Sequence, residues 1–224
     1  LVLDRQGQLY VTAGERNLPP EAPDGAQALD NDLGKVLRID PATGAAAAGN
    51  PFTAEQARPE IWSYGHRNIQ AAALDPQGRL WTVEHGPKGG DELNMPQPGL
   101  NYGWPVITYG VQYDDNPIGA GITAKDGMEQ PVYYWDPVIA PSGMLFYEGA
   151  MFPEWQGDIL IGGLRAESVV RLKLEGDRVA GEQRLVQGIG RVRDIEIAPD
   201  GALLVLIDGD PGSLIRLARR GPPP

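Results

Sequence analysis

Apolar residues in this chain come in short runs cut by Gly, Pro, Asp and Asn, and no long stretch carries helical periodicity. One unit recurs. An apolar residue precedes an Asp or a Pro, a Gly turn follows, and a Leu-containing strand comes next. It reads Leu3-Asp4-Arg5-Gln6-Gly7-Gln8-Leu9-Tyr10-Val11, then Leu74-Asp75-Pro76-Gln77-Gly78-Arg79-Leu80-Trp81-Thr82, then Ile197-Ala198-Pro199-Asp200-Gly201-Ala202-Leu203-Leu204-Val205. The Gly supplies a positive φ and the Pro a preset one, as a tight hairpin requires. A second pattern alternates apolar residues with Arg or Lys: Val36-Leu37-Arg38-Ile39-Asp40, Val170-Arg171-Leu172-Lys173-Leu174 and Leu214-Ile215-Arg216-Leu217. Such alternation buries one face of a strand and wets the other.

Repeated hairpins of this kind predict an all-β chain of propeller-like blades. At roughly 45–60 residues per four-stranded blade, the chain has room for about four or five. The copies are irregularly spaced, so long loops must intervene; the longest is expected over residues 84–130, rich in Gly, Pro, Asn and Asp. Residues 13–34 and 42–52 read as surface excursions.

Composition narrows the function. The 224 residues are 42% hydrophobic and 22% charged, which is a globular balance. No apolar run approaches the ~18 residues of a membrane helix. The net charge of −11 makes nucleic acid an unsuitable partner and leaves neutral sugars and divalent cations compatible. The absence of Cys removes disulfides, thiolate metal sites and thiol nucleophiles, and two His are too few for a multi-histidine zinc site. The chain opens on Leu1-Val2-Leu3-Asp4, inside a strand pattern, and is expected to begin within a longer protein.

Several segments carry candidate chemistry. In Ile61-Trp62-Ser63-Tyr64-Gly65-His66-Arg67-Asn68-Ile69-Gln70, three polar side chains follow a glycine, and Arg67 offers a planar donor fork for a carboxylate. Glu84-His85-Gly86-Pro87-Lys88-Gly89-Gly90-Asp91-Glu92-Leu93-Asn94 joins exposed carbonyls to carboxylates, the oxygen chemistry of hard cations, without EF-hand spacing. Asn101-Tyr102-Gly103-Trp104-Pro105-Val106-Ile107-Thr108-Tyr109-Gly110 can form an aromatic wall for a flat ligand or a sugar. Trp135-Asp136-Pro137-Val138-Ile139-Ala140-Pro141-Ser142-Gly143-Met144 and Gly163-Leu164-Arg165 follow. Arg191-Val192-Arg193-Asp194 sets two arginines on one strand face, which calls for an anion or an Asp between them. Against each stands a plainer interpretation: a surface turn, a solvated acidic loop, packed aromatics, a paired charge ladder. Together these residues suit a planar polyanion held with a cation.

The segments spanning 62–68, 84–94 and 101–105, continued by Glu129-Gln130-Pro131-Val132-Tyr133-Tyr134-Trp135, residues 141–144 and residues 191–194, resemble in order and spacing the signature of the pyrroloquinoline-quinone (PQQ)-dependent soluble aldose sugar dehydrogenases of the glucose/sorbosone dehydrogenase family. The resemblance covers nearly the whole chain. It implies a six-bladed β-propeller, with residues 1–224 forming one domain that lacks the N-terminal blade or blades. It implies PQQ contacts from Arg67, Asn68, Thr108, Arg165, Arg191 and Arg193. A calcium ion beside the quinone would take backbone carbonyls of Gly86 and Pro87, and a second, structural calcium would lie near Glu92 and Tyr102. The activity implied is oxidation of an aldose at C1 to its lactone, with PQQ as first and an external carrier as second acceptor, in a periplasmic or secreted protein. The family's catalytic base is a histidine expected upstream of Leu1; neither His66 nor His85 matches it. Ile69 and Ala71 also depart from the family's Pro and Gly after the Arg-Asn pair. The alternative readings are a binding propeller that kept the scaffold without the chemistry, and a calcium-dependent lactonase, whose axial carboxylate and Asn cage this sequence does not supply.

Overall fold

The computed structural model describes residues 1–16 and 25–219, so part of the 13–34 excursion lies outside the described residues. Among them the chain is all-β, in four antiparallel sheets. The first contains β1 (Val2–Leu3), β2 (Leu9–Ala13), β3 (Lys35–Ile39) and β4 (Ile61–Tyr64). The second contains β5 (Ile69–Leu74), β6 (Leu80–Glu84), β7 (Asp91–Asn94) and β8 (Tyr133–Trp135). The third contains β9 (Pro141–Phe146), β10 (Ile159–Gly163), β11 (Ser168–Glu175) and β12 (Arg178–Leu185), and the fourth β13 (Arg191–Ile197), β14 (Leu203–Asp208) and β15 (Ser213–Leu217). Each sheet is a meander in which consecutive strands pair. No helix among the described residues is long and apolar enough to cross a membrane.

The recurrent hairpin unit forms the β1–β2, β5–β6 and β13–β14 connections. Gly7, Gly78 and Gly201 take φ of 79°, 83° and 86°, a region that costs other residues steric strain. In the first two turns the Asp carboxylate folds back on the loop. Asp4 accepts the amides of Gln6 and Gln8, and Asp75 those of Gln77 and Arg79. Asp75 also accepts from the Arg79 guanidinium and the buried Trp81 indole, at 2.7 and 3.1 Å. Burial alone would raise the Asp75 carboxyl, but these bonds outweigh it and hold it below its ordinary value. In the third turn the Asp sits two residues later, where Asp200 accepts the Ala202 amide.

The described residues fall into two compact units, one up to residue 138 and one from residue 139. In the first, Tyr10, Val36, Ile69 and Leu80 form a buried cluster flanked by Trp62 and Leu74. Arg38 lies over the Trp62 ring at 5.4 Å while its guanidinium pairs with Asp4 at 3.2 Å. In the second, Tyr147, Phe152, Leu160, Val169, Val192, Ile195, Leu203 and Val205 form the core. The Tyr147 hydroxyl donates to the Gly201 carbonyl at 2.5 Å and accepts the Phe152 amide at 3.1 Å. Ser142 Oγ lies 3.0 Å from the Gly162 carbonyl and 2.7 Å from that of Val192, tying β9 to β10 and β13. Strand β6 is buried along its length, so the carboxylate at its last residue, Glu84, enters the interior.

The expected loop over 84–130 is interrupted. Asp91–Asn94 is strand β7, paired with β6 through Thr82↔Asn94, Val83↔Leu93 and Glu84↔Glu92. Asp91 is buried and accepts the Gly86 amide at 2.9 Å. The acidic stretch is therefore a paired, largely interior strand, because alternate apolar Leu93 needs the core and carries its neighbours with it.

Candidate functional site

The site in the first unit is assembled around the end of β6. Glu84 is 3% exposed. Its Oε1 faces His66 Nδ1 at 3.0 Å and accepts from Asn94 Nδ2 at 3.0 Å; its Oε2 accepts the Arg67 amide at 2.6 Å and, more weakly, the Asn68 amide at 3.4 Å. Burial works against its charge, but attraction to His66 and bonds from His66, Arg67 and Asn68 outweigh that and hold the carboxyl below its ordinary value. His66 is fully buried, with Nε2 2.9 Å from Ser63 Oγ and its ring stacked on Tyr102 at 4.7 Å. It is a fixture of the interior and does not point into an open site.

Glu92 stands directly opposite Glu84 across the β6–β7 ladder. Two carboxylates in that register repel. Burial, then the Glu84 charge, push the Glu92 carboxyl up to about 8, against a bond from Asn94 that lowers it. Asn94 Nδ2 bridges the pair, 3.1 Å from Glu92 Oε2, while its own Oδ1 is buried without a partner. Local sequence order gives no hint of this bridge, which strand register creates.

Arg67 lies half-buried over the Trp104 ring at 5.1 Å. One terminal nitrogen, Nη1, donates to the carbonyls of His85 and Gly86 at 2.9 and 3.0 Å, and Nε is buried without a partner. Gly86, Glu92, Tyr102 and Thr108 line with it a recess of about 10 Å³, room for one water-sized group. The recess is cation-sized and does not by itself hold a tricyclic quinone. Gly86 is there for closeness: a Cβ would collide with the carbonyl oxygens of Gly89 and Gly90. The Tyr102 hydroxyl is committed to the 95–97 segment, donating to the Met95 carbonyl at 2.8 Å and accepting the Gln97 amide at 2.9 Å. Thr108 Oγ1 accepts the Gly110 amide at 3.1 Å. Asn68 is half-buried, its Oδ1 accepting from Gln70 at 2.9 Å. Pro87 is buried beside Gly86.

The aromatics of 101–110 do not form a free wall. Tyr102 stacks on His66, Tyr109 on Tyr134 at 3.8 Å, and Trp104 underlies Arg67. The structure thus gathers Arg67, Gly86, Glu92, Tyr102 and Thr108, with Asn68 and Pro87 adjoining.

In the second unit, Arg165 follows β10, exposed, with its backbone amide on the Ile139 carbonyl at 3.0 Å and its guanidinium paired to no carboxylate among the described residues. Arg191 and Arg193 flank buried Val192 and are exposed. Both reach Asp208 Oδ2 from the neighbouring strand, Arg193 at 2.5 Å and Arg191 at 3.4 Å. Asp208, which sequence order leaves unmarked, is the counter-charge that the Arg-x-Arg pattern requires. Hydrogen bonding from Arg193 leads the effects that hold its carboxyl below the ordinary value. The register slips between Val192 and Asp194, and the Asp194 carboxylate packs over Gly143, where a Cβ would strike it.

The sequence model of the "Glucose / Sorbosone dehydrogenase" family matches residues 1–216. The aldose sugar dehydrogenase of Escherichia coli (strain K12) is 43% identical over 98% of this chain and 59% of its own length. The apo structure of the soluble aldose sugar dehydrogenase from Escherichia coli superposes with a TM-score of 0.89 over 98% of this chain and 63% of its own. The PQQ-bound aldose sugar dehydrogenase of Streptomyces coelicolor is 30% identical with a TM-score of 0.71, over 96% of this chain and 58% of its own. The chain spans about three fifths of these relatives. With a matched family model over nearly its full length, the chain belongs to the glucose/sorbosone dehydrogenase family.

Proposed function

We propose that this chain forms the larger part of a PQQ- and calcium-dependent aldose sugar dehydrogenase of the periplasm or exterior, its four sheets serving as blades of a six-bladed propeller. Its partners are then an aldose and an external electron acceptor. Such a quinone, when bound beside calcium, would accept a hydride (one proton with two electrons) from C1 of the sugar while the C1 hydroxyl gives its proton to a base, leaving a lactone.

The observation that carries this reading is the Arg67 recess, where a donor lacking a partner and a set of oxygen ligands adjoin. Buried Arg67 Nε has no acceptor among the described residues, an unmet donor that leaves the guanidinium short of a counter-charge an anion would supply. The planar guanidinium is pre-set by Trp104 and by the His85 and Gly86 carbonyls, so little ordering remains at binding. Asn68 offers an amide donor and acceptor beside it. Arg165 lacks a carboxylate partner among the described residues, and Arg191 and Arg193 share one, so each keeps positive charge for an anion. By type, each of these residues suits a carboxylate.

Oxygen donors fit calcium. The Gly86 carbonyl keeps a second lone pair beside its Arg67 bond, and Pro87 supplies another carbonyl. Glu92 would supply a carboxylate to the second ion near Tyr102, where a divalent charge would relieve its repulsion with Glu84. Thr108 closes the recess wall. The base that takes the sugar hydroxyl proton is assigned to a histidine of the longer protein.

The test is titration of the purified protein with PQQ and calcium, followed by gel filtration and quinone absorbance, then dye reduction with glucose. Calcium-dependent retention, lost on Arg67→Ala, together with sugar-dependent dye reduction by the longer protein, supports the proposal. Failure to retain the quinone in either form overturns it and favours the binding-propeller alternative.

A further inference from the structure

Residues 65–68 form the connection between β4 and β5, a stretch in which the backbone amides of Arg67 and Asn68 have no ladder partner. Orphan amides at a half-buried turn cost stability unless a side chain serves them. Here one side chain does. Both amides point at Glu84 Oε2, while Oε1 of the same carboxylate faces His66 and Asn94. The side chain of Arg67 then runs back to the carbonyls of the two residues that follow Glu84. Arg67 is thus fixed at its amide by the Glu84 carboxylate and at its guanidinium by His85 and Gly86. His66 is gripped between Ser63 and Glu84, so the residue before Arg67 cannot swing either.

We propose that Glu84 is a positioning residue that sets the backbone of the Arg67–Asn68 pair for the quinone; this rests on the function proposed above. Its carboxylate oxygens are taken up by the Arg67 and Asn68 amides, His66 and Asn94. It acts by fixing where the guanidinium begins.

The variants separate this from a general packing role. Glu84→Met has similar length and no acceptor. Glu84→Gln keeps one oxygen, which can serve the two amides, while its NH₂ group donates to His66 Nδ1 in the acceptor tautomer and, once the Asn94 amide flips, to the otherwise unpartnered Asn94 Oδ1. In the wild type the Arg67 amide should exchange its proton as slowly as the amides of β6, although no strand covers it. In Glu84→Met it should exchange at least about tenfold faster with β6 little changed, and PQQ affinity should fall by about tenfold. Glu84→Gln should recover most of both.

Rapid exchange of Arg67 in the wild type overturns the proposal, and so does unchanged exchange or unchanged quinone affinity in Glu84→Met. That wild-type measurement stands even if Glu84→Met does not fold. A wild type that protects the amide yet never holds PQQ supports the clamp and sinks the dehydrogenase reading instead.

Discussion

Lys35 offers a sharp test of how this fold handles a buried charge. It opens β3, is fully buried, and its ammonium donates to the carbonyls of Gly25, Ala26 and Leu33 at 2.8, 3.0 and 2.5 Å. Burial lowers it to about 8 from 10.5, against the pull of Asp32 and Asp30. Between those values the unfolded chain binds the extra proton, so stability rises with pH. Each unit is worth about 1.4 kcal/mol, giving a ceiling of roughly 3 kcal/mol over the full interval. A neutral amine has two N–H groups for three carbonyls, which trims the gain to about 2 kcal/mol. Lys35→Met removes the effect. Tyr10, Tyr102 and Tyr109 are raised and act oppositely above about pH 10, but equally in both proteins. Urea unfolding of wild type and Lys35→Met from about pH 7 to about pH 10 should show the stability difference moving toward the wild type by about 2 kcal/mol. A difference that stays flat, or moves toward the variant, refutes the reasoning.

Two further outcomes follow from the structure. Tyr147→Phe should cost about 1–3 kcal/mol in urea unfolding, because the Gly201 carbonyl and the Phe152 amide lose their shared partner inside the second core. Calcium at about one hundred times its dissociation constant should stabilise the wild type by about 2.7 kcal/mol relative to chelator, read as a rise in melting temperature, and Glu92→Gln should lose much of that rise. An equal rise in the variant would remove Glu92 from the ligand set.

The hairpin turns were legible in the sequence because they are local. A positive φ at Gly7, Gly78 and Gly201 and an Asp that bonds amides two and four residues ahead need nothing from the rest of the chain. The alternation in β11 was legible for the same reason, whereas β3 does not alternate, because Arg38 folds over Trp62 to meet Asp4. Tertiary structure decided the rest. Glu84 serves amides 16 and 17 residues back and an Asn ten residues ahead. Asp208 meets Arg193 across 15 residues. The pairing of Glu84 against Glu92 depends on β6–β7 register, and so does the perturbed Glu92 carboxyl. Register follows from which side chains the whole sheet buries, so it is a property of the packed unit. Turn chemistry is written within a few residues; the facing of charges is written only when strands pair.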